Sequence, residues 1–365
     1  MNPTPMNAVD QTMSELTTSE VRQGERTMVA SRGKAARIPA LDFTKGALVL
    51  IMVLYHWLNY FIGPQGSFYV YLRFLPPSFI FITGFLISQV YLRKYQITDA
   101  RIPQRLVIRG LKILAIFIIL NALISLVIPE AGNGKSFTES FSVGNLTAIY
   151  ITGNSAGGKL AAFTILVPIG YLLIFSAGLL VLCRVYKHIF HVASIIFLSI
   201  IFIFSLNGVK NDILELFTIG LLGVSVGYIP IQKVNAVLRH PLALLFAYLC
   251  YLIAIRVWDV PYPLQIIGVC LTLTLIYWLG TVSGESGAIP RAVILLGKYS
   301  LLGYIAQVAI LQLGHRGLRH VTLGPLELCI TLFVAAALTI IAVEAMDRAR
   351  AKARIVNTVY SAVFN

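Results

Sequence analysis

Ten stretches of roughly 20 mostly apolar residues, separated by polar segments, follow one another between Ala40 and Met346. A run of that length crosses a bilayer as a helix. The pattern predicts spans near 40–63, 70–92, 106–128, 160–182, 190–206, 213–230, 241–256, 263–283, 291–313 and 325–346. The shorter runs are candidates for tilted, broken or re-entrant helices. The stretch 207–230 is the least regular. The expected fold is an all-α polytopic membrane protein, a bundle of about ten transmembrane helices.

Composition strengthens that reading. Of 365 residues 58% are hydrophobic and only 12% are charged. A soluble globule carries about twice that charge. Residues 1–36 differ: they are rich in Thr, Ser, Met, Glu and Arg and lack an apolar h-region. They read as a disordered cytoplasmic tail rather than a signal peptide. The four cysteines lie in or beside apolar runs without CxxC or Cys/His spacing, so neither a disulfide framework nor a metal site is expected. The longest polar insertion, 129–159, is rich in Gly, Ser, Thr and Asn, and no internal repeat is visible.

The net charge of +14 changes the picture through its distribution. The basic residues cluster at helix ends: in the N-terminal tail, in the loop from Arg93 to Lys112, around Arg184 and Lys187, at Lys233 and Arg239, and from Arg348 to Arg354. All are cytoplasmic if both termini are cytoplasmic, as the positive-inside rule expects. That placement argues against nucleic acid as a partner and for membrane lipid. Residues 349–365 read as a basic cytoplasmic tail. One cluster opposes the rule: Gly314–His320 puts Arg316 and Arg319 outside, flanked by His315 and His320.

The candidate chemistry begins in the first span, where Lys45 and His56 lie eleven residues apart. Eleven steps of about 100° return to within roughly 20° of the start, so both sit on one stripe, about 16 Å apart along the axis. Asp42 lies on the same stripe, one turn before Lys45, and Asn59 lies just beyond His56. Ionisable groups at membrane depth are costly and usually face a cavity, partner or pathway. Two readings stay open on spacing alone. His56 is either a general base served by an anchoring Lys45, or an interfacial residue beside Trp57 and Tyr60, with Lys45 snorkelling.

The segment LDFTKGALVLIMVLYHWLNY resembles the opening helix of the transmembrane acyltransferase superfamily. That group includes acyltransferase family 3, OpgC-type proteins and the heparan-alpha-glucosaminide N-acetyltransferases. Their pattern is Arg-Gly, ten residues including the glycine, then His. Here Lys45-Gly46 stands for Arg-Gly, and His56 keeps the spacing. SFIFITGFLISQVYLRKY (Ser78–Tyr95), the basic RIPQRLVIRGLKIL, and LGKYSLLGYIAQ (Leu296–Gln307) are similar to further elements of the family. Two positions depart. Lysine lacks the planar fork of the arginine it replaces, and Gln307, in place of a histidine, cannot act as a base.

The resemblance implies a transmembrane acyltransferase domain over 37–348. The implied reaction moves an acyl group, acetyl in the first instance, from cytoplasmic acyl-CoA to a hydroxyl or amine of a carbohydrate or glycan at the outer side. The implied location is a bacterial inner membrane. It assigns His56 as catalytic, with Asp42. Lys45, Arg105, Arg109, Lys112 and Ser300 are assigned to the donor; by position Asn59 is a candidate for the acceptor, and by their outer charge Arg316 and Arg319 are candidates for an anionic one. No metal is implied, and an oligomer is compatible with it. Arg105, Arg109 and Lys112 share one helical face, which fits the phosphates of coenzyme A or a lipid anchor. Arg316 and Arg319 equally suit lipid headgroups. The rival function is a transporter or flippase for a lipid-linked sugar or small solute, with the same buried charges as a translocation site. No GxSxG, P-loop, HExxH or dinucleotide fingerprint is present.

Overall fold

A computed structural model describes residues 38–63, 68–92, 101–127, 143–152, 163–258, 261–318 and 320–364. The expected N-terminal tail, Glu130, Glu139 and Arg319 lie outside these residues. Everything regular among the described residues is helical. Helix α1 (Pro39–Trp57) opens on a proline, whose missing N–H costs nothing there. After Trp57 it widens into a π-helical turn, Leu58–Ile62, which Gly63 ends at φ 116°. One turn of helix, α2 (Tyr69–Leu72), leads into α3 (Leu75–Leu86), which also ends in a π-helical turn, Ile87–Leu92. Then come α4 (Arg101–Val127), α5 (Val143–Thr152), α6 (Leu166–Leu182) and α7 (Ile189–Leu206). Next are α8 (Asp212–Val226), α9 (Ile231–Val237), α10 (Pro241–Trp258) and α11 (Tyr262–Ser283). The chain closes with α12 (Ala288–Lys298), α13 (Ser300–Gly317), α14 (Pro325–Lys352) and α15 (Arg354–Phe364).

Seven spans among the described residues are long and apolar enough to cross a membrane, and two bent pairs raise the number to nine. Helix α6, with 17 residues, is the remaining apolar segment of the ten expected. The protein is an all-helical, multi-pass integral membrane protein. Two expected spans are not straight. The segment 291–313 is broken at Tyr299, where α12 and α13 meet at 97°, and α8 turns by 99° into α9. Helices α7, α10 and α14 bury little of their length, so Phe202, Phe246 and Phe333 stand out towards lipid.

Close approach of backbones organises the centre. Helix α1 packs on α12, α11, α13 and α3, while α3 packs on α8 and α4 on α6. A Cβ on Gly84 of α3 would fall on the Gly220 carbonyl of α8, and one on Gly223 on the Phe81 carbonyl. These glycines act as close-packing positions, as small residues do in membrane bundles. Some buried hydroxyls bond one turn back, Thr44 to the Ala40 carbonyl and Ser78 to that of Phe74, both at 2.7 Å, while Ser88 crosses to the Val224 carbonyl of α8 at 2.5 Å.

The last residues are helical. Helix α14 continues to Lys352, and α15 folds back through Tyr360, which packs with Val49, Leu296, Tyr299 and Val343. Ala353, Val356, Tyr360 and Phe364 are the residues turned inward, at a helical period. The guanidinium of Arg350 lies between two rings, 5.3 Å from the centroid of Tyr299 and 4.0 Å from that of Tyr360.

Candidate active site

The stripe on α1 opens onto two different cavities. At the Lys45 end, a cavity of about 200 Å³ lies between α1, α3, α4, α6 and α13. Its polar lining is Lys45, Thr83, Arg109, Lys298, Ser300 and Tyr304, and its walls are otherwise apolar. Three cations therefore meet from three separate elements. Asp42 holds Lys45 at 2.5 Å, and Asp347 holds Lys298 at 2.9 Å. Tyr299 is buried behind them, donating to Asp347 and accepting from Arg350 at 3.0 Å. The break at Tyr299 makes Ser300 the first residue of α13. The cavity thus receives the unpaired N–H groups and positive end of a long helix.

At the His56 end, a second cavity of about 370 Å³ is lined by Tyr55, His56, Arg73, Asp212, Glu215 and Gln265 among others. His56 is 7% exposed, and its Nε2 is buried with no hydrogen-bond partner among the described residues. A buried polar atom without a partner is costly, and natural proteins keep few of them. Tyr304 and Ile165 line both cavities, so the two are separated by little more than these side chains. The rings of His56 and Tyr304 are 6.1 Å apart, and Phe163 and Phe79 stand beside Tyr304 at 5.9 and 6.5 Å. Trp57, next to the histidine, donates to Thr331 Oγ1 at 2.8 Å and ties α1 to α14.

The candidates from sequence fall into groups. Lys45, Arg109 and Ser300 come together in the first cavity, and His56 stands in the second. Asp42 pairs with Lys45, fourteen residues and about 21 Å of helix before His56, so it serves the lysine and does not reach the imidazole. Arg105 and Lys112 do not line the Lys45 cavity; Arg105 is exposed. Asn59 hydrogen-bonds Tyr55, and that tyrosine, not the asparagine, lines the His56 cavity. Arg316 is exposed in the last turn of α13 and lines neither cavity. Its neighbour His315 packs on Tyr60 and Phe61. Arg73, Asp212, Glu215 and Gln265 have no place in the sequence reading of the site. No motif marks them; only the fold brings them to His56. Gln307, at the family's histidine position, is fully buried, and both its amide atoms lack partners among the described residues.

Comparison with known proteins gives one partial match. Residues 37–132 match the model of the heparan-alpha-glucosaminide N-acetyltransferase catalytic domain. The match covers about a quarter of the 365 residues and takes in α1, α3 and α4, with Lys45, His56 and Arg109. It falls in the superfamily that the opening helix resembles. Residues 37–132 of this multi-pass membrane protein are thus similar to an acyltransferase catalytic domain. No curated protein and no solved structure matches it. Among the described residues, no group of His, Cys, Asp and Glu is arranged to hold a metal ion.

Proposed function

We propose that this protein moves an acyl group, acetyl in the first instance, from acyl-CoA in the Lys45 cavity to a glycan acceptor in the His56 cavity. One observation carries the reading: two cavities of different chemistry abut at Tyr304, with the unpartnered Nε2 of His56 beside the boundary. The sequence expectation of cytoplasmic termini puts the Lys45 cavity on the cytoplasmic side, where acyl-CoA is made. The acceptor then meets His56 from the outer side, in a bacterial inner membrane.

The donor suits the residues present. Lys45, Arg109, Lys298 and the start of α13 offer positive charge and N–H donors to phosphates at the cavity mouth. The apolar walls, Phe79, Leu86 and Leu173 among them, suit an extended pantetheine arm. The roughly 16 Å between Lys45 and His56 suits the reach of that arm. His56 accepts the proton of the acceptor hydroxyl or amine. The freed oxygen or nitrogen bonds to the thioester carbonyl carbon, the C–S bond breaks, and the departing thiolate takes up a proton. Holding donor and acceptor on opposite sides of Tyr304, next to the imidazole, supplies proximity and keeps bulk water from the thioester.

The test is release of free coenzyme A by purified protein in detergent, given acetyl-CoA and a glycan acceptor. His56→Ala should abolish release while the protein stays monodisperse and helical; full activity in that variant overturns the proposal. A transporter would consume no acetyl-CoA without a gradient.

A further inference from the structure

The His56 cavity is polar on one wall in a particular way. Helix α8 begins there, capped by Asn211, whose Oδ1 accepts the Leu214 N–H at 3.0 Å while its Nδ2 donates to the Ile151 carbonyl at 3.2 Å. This cap fixes the first turn, which carries Asp212 and Glu215. Tyr262 of α11 donates to the Glu215 backbone carbonyl at 3.0 Å. Gln265, one turn further along α11, lines the cavity and donates to the Arg73 carbonyl at 3.4 Å. The depth order is clear: Arg73 and Asp212 are exposed, Glu215 and Gln265 are half-buried, and His56 is buried. Among the described lining residues two carboxylates face one guanidinium, so the lining is net acidic.

We propose that this cavity selects its acceptor by charge. Asp212 and Glu215 admit a hydroxylated acceptor that carries no anionic group, and they disfavour glycan acids and phosphates. The proposal rests on the acyl-transfer reading of His56. Carboxylates accept hydrogen bonds from sugar hydroxyls and repel anions, with least screening at the half-buried Glu215. An independent observation supports the site. The unpartnered, buried Nε2 of His56 in the same cavity marks where the reacting group docks. The basic residue Arg316, the earlier candidate for an anionic acceptor, stands outside this lining.

The test compares methyl glucoside with methyl glucuronoside, which differ by one carboxylate. Coenzyme A release from acetyl-CoA should favour the glucoside by about tenfold or more in kcat/KM. The double variant Asp212→Asn, Glu215→Gln should narrow that ratio, chiefly by raising turnover of the glucuronoside. A purely helix-stabilising role for the two acids would lower the melting temperature and leave the ratio unchanged, which overturns the proposal. Binding is read separately by saturation-transfer NMR on the His56→Ala protein. Selective binding of the glucoside, without coenzyme A release by the unaltered protein, would strike the acyl-transfer reading and keep the charge selection. Binding of both glycosides, or of neither, overturns the selection itself.

Discussion

Gly46 on α1 and Gly297 on α12 face each other where the two helices cross. A Cβ on Gly46 would run into the Val293 carbonyl and come within 2.9 Å of the Gly297 nitrogen; a Cβ on Gly297 would run into the Asp42 carbonyl and come within 2.9 Å of the Gly46 nitrogen. Each glycine is next to a lysine of the first cavity, Lys45 or Lys298. An early and a late segment of the chain thus meet as one backbone crossing. Gly46→Ala or Gly297→Ala should force the helices apart, at about 1–3 kcal/mol or more. A lowered melting temperature in detergent, with a raised KM for acyl-CoA, is the expected result. An unchanged KM in a destabilised but folded variant would separate the crossing from donor binding.

The basic face of α4 should divide in function. Arg109 lines the Lys45 cavity and Arg105 does not. Arg109→Ala should raise the KM for acyl-CoA by about tenfold, the size of one charge-assisted contact, and leave kcat nearly intact. Arg105→Ala should do neither. Equal effects from both would favour a lipid anchor shared along the face.

Asp42 offers a test of role against position. It sits beside Lys45 and far from His56, so Asp42→Asn should act on the donor KM and spare the chemical step. A fall in kcat with an unchanged KM would instead place Asp42 in catalysis. Lys45→Ala should weaken the donor strongly. Lys45→Arg, which restores the family's residue and its planar fork, should retain or improve donor affinity.

The C-terminal helix reaches the Lys45 cavity indirectly. Arg350 donates to Tyr299 at 3.0 Å and to Asn357 Oδ1 at 2.8 Å, while Asp347 holds both Tyr299 and Lys298. Arg350→Ala should cost about 1–2 kcal/mol through lost ring and hydrogen-bond contacts. It should also loosen α15, read as faster amide exchange over residues 354–364. Protection unchanged in that segment would show that Tyr360 alone secures it.

How much of this was readable in the residues follows from the forces involved. The spans were legible because a bilayer demands about 20 apolar residues in a row, whatever the neighbours are. The Lys45–His56 stripe was legible because both residues share one helix. The break at Tyr299 was not: LLGKYSLLGYIAQ holds no proline, and Gly297–Ser300 is a short interruption between two apolar runs. The Gly46–Gly297 crossing pairs positions 251 residues apart, and Asp212, Glu215 and Gln265 are as distant from His56 in kind. Helix α15 did leave a signal, the 353–356–360–364 period, but the arginines and lysine around its start suggested only a charged tail.

Tyr304 stands where the two cavities abut, packed among His56, Phe79 and Phe163. Its consequence reaches beyond the reaction. A membrane that stores energy as a voltage cannot tolerate an open water path through an enzyme. On the proposed reaction, only an acyl group has to pass this aromatic partition, which would leave the bilayer electrically sealed.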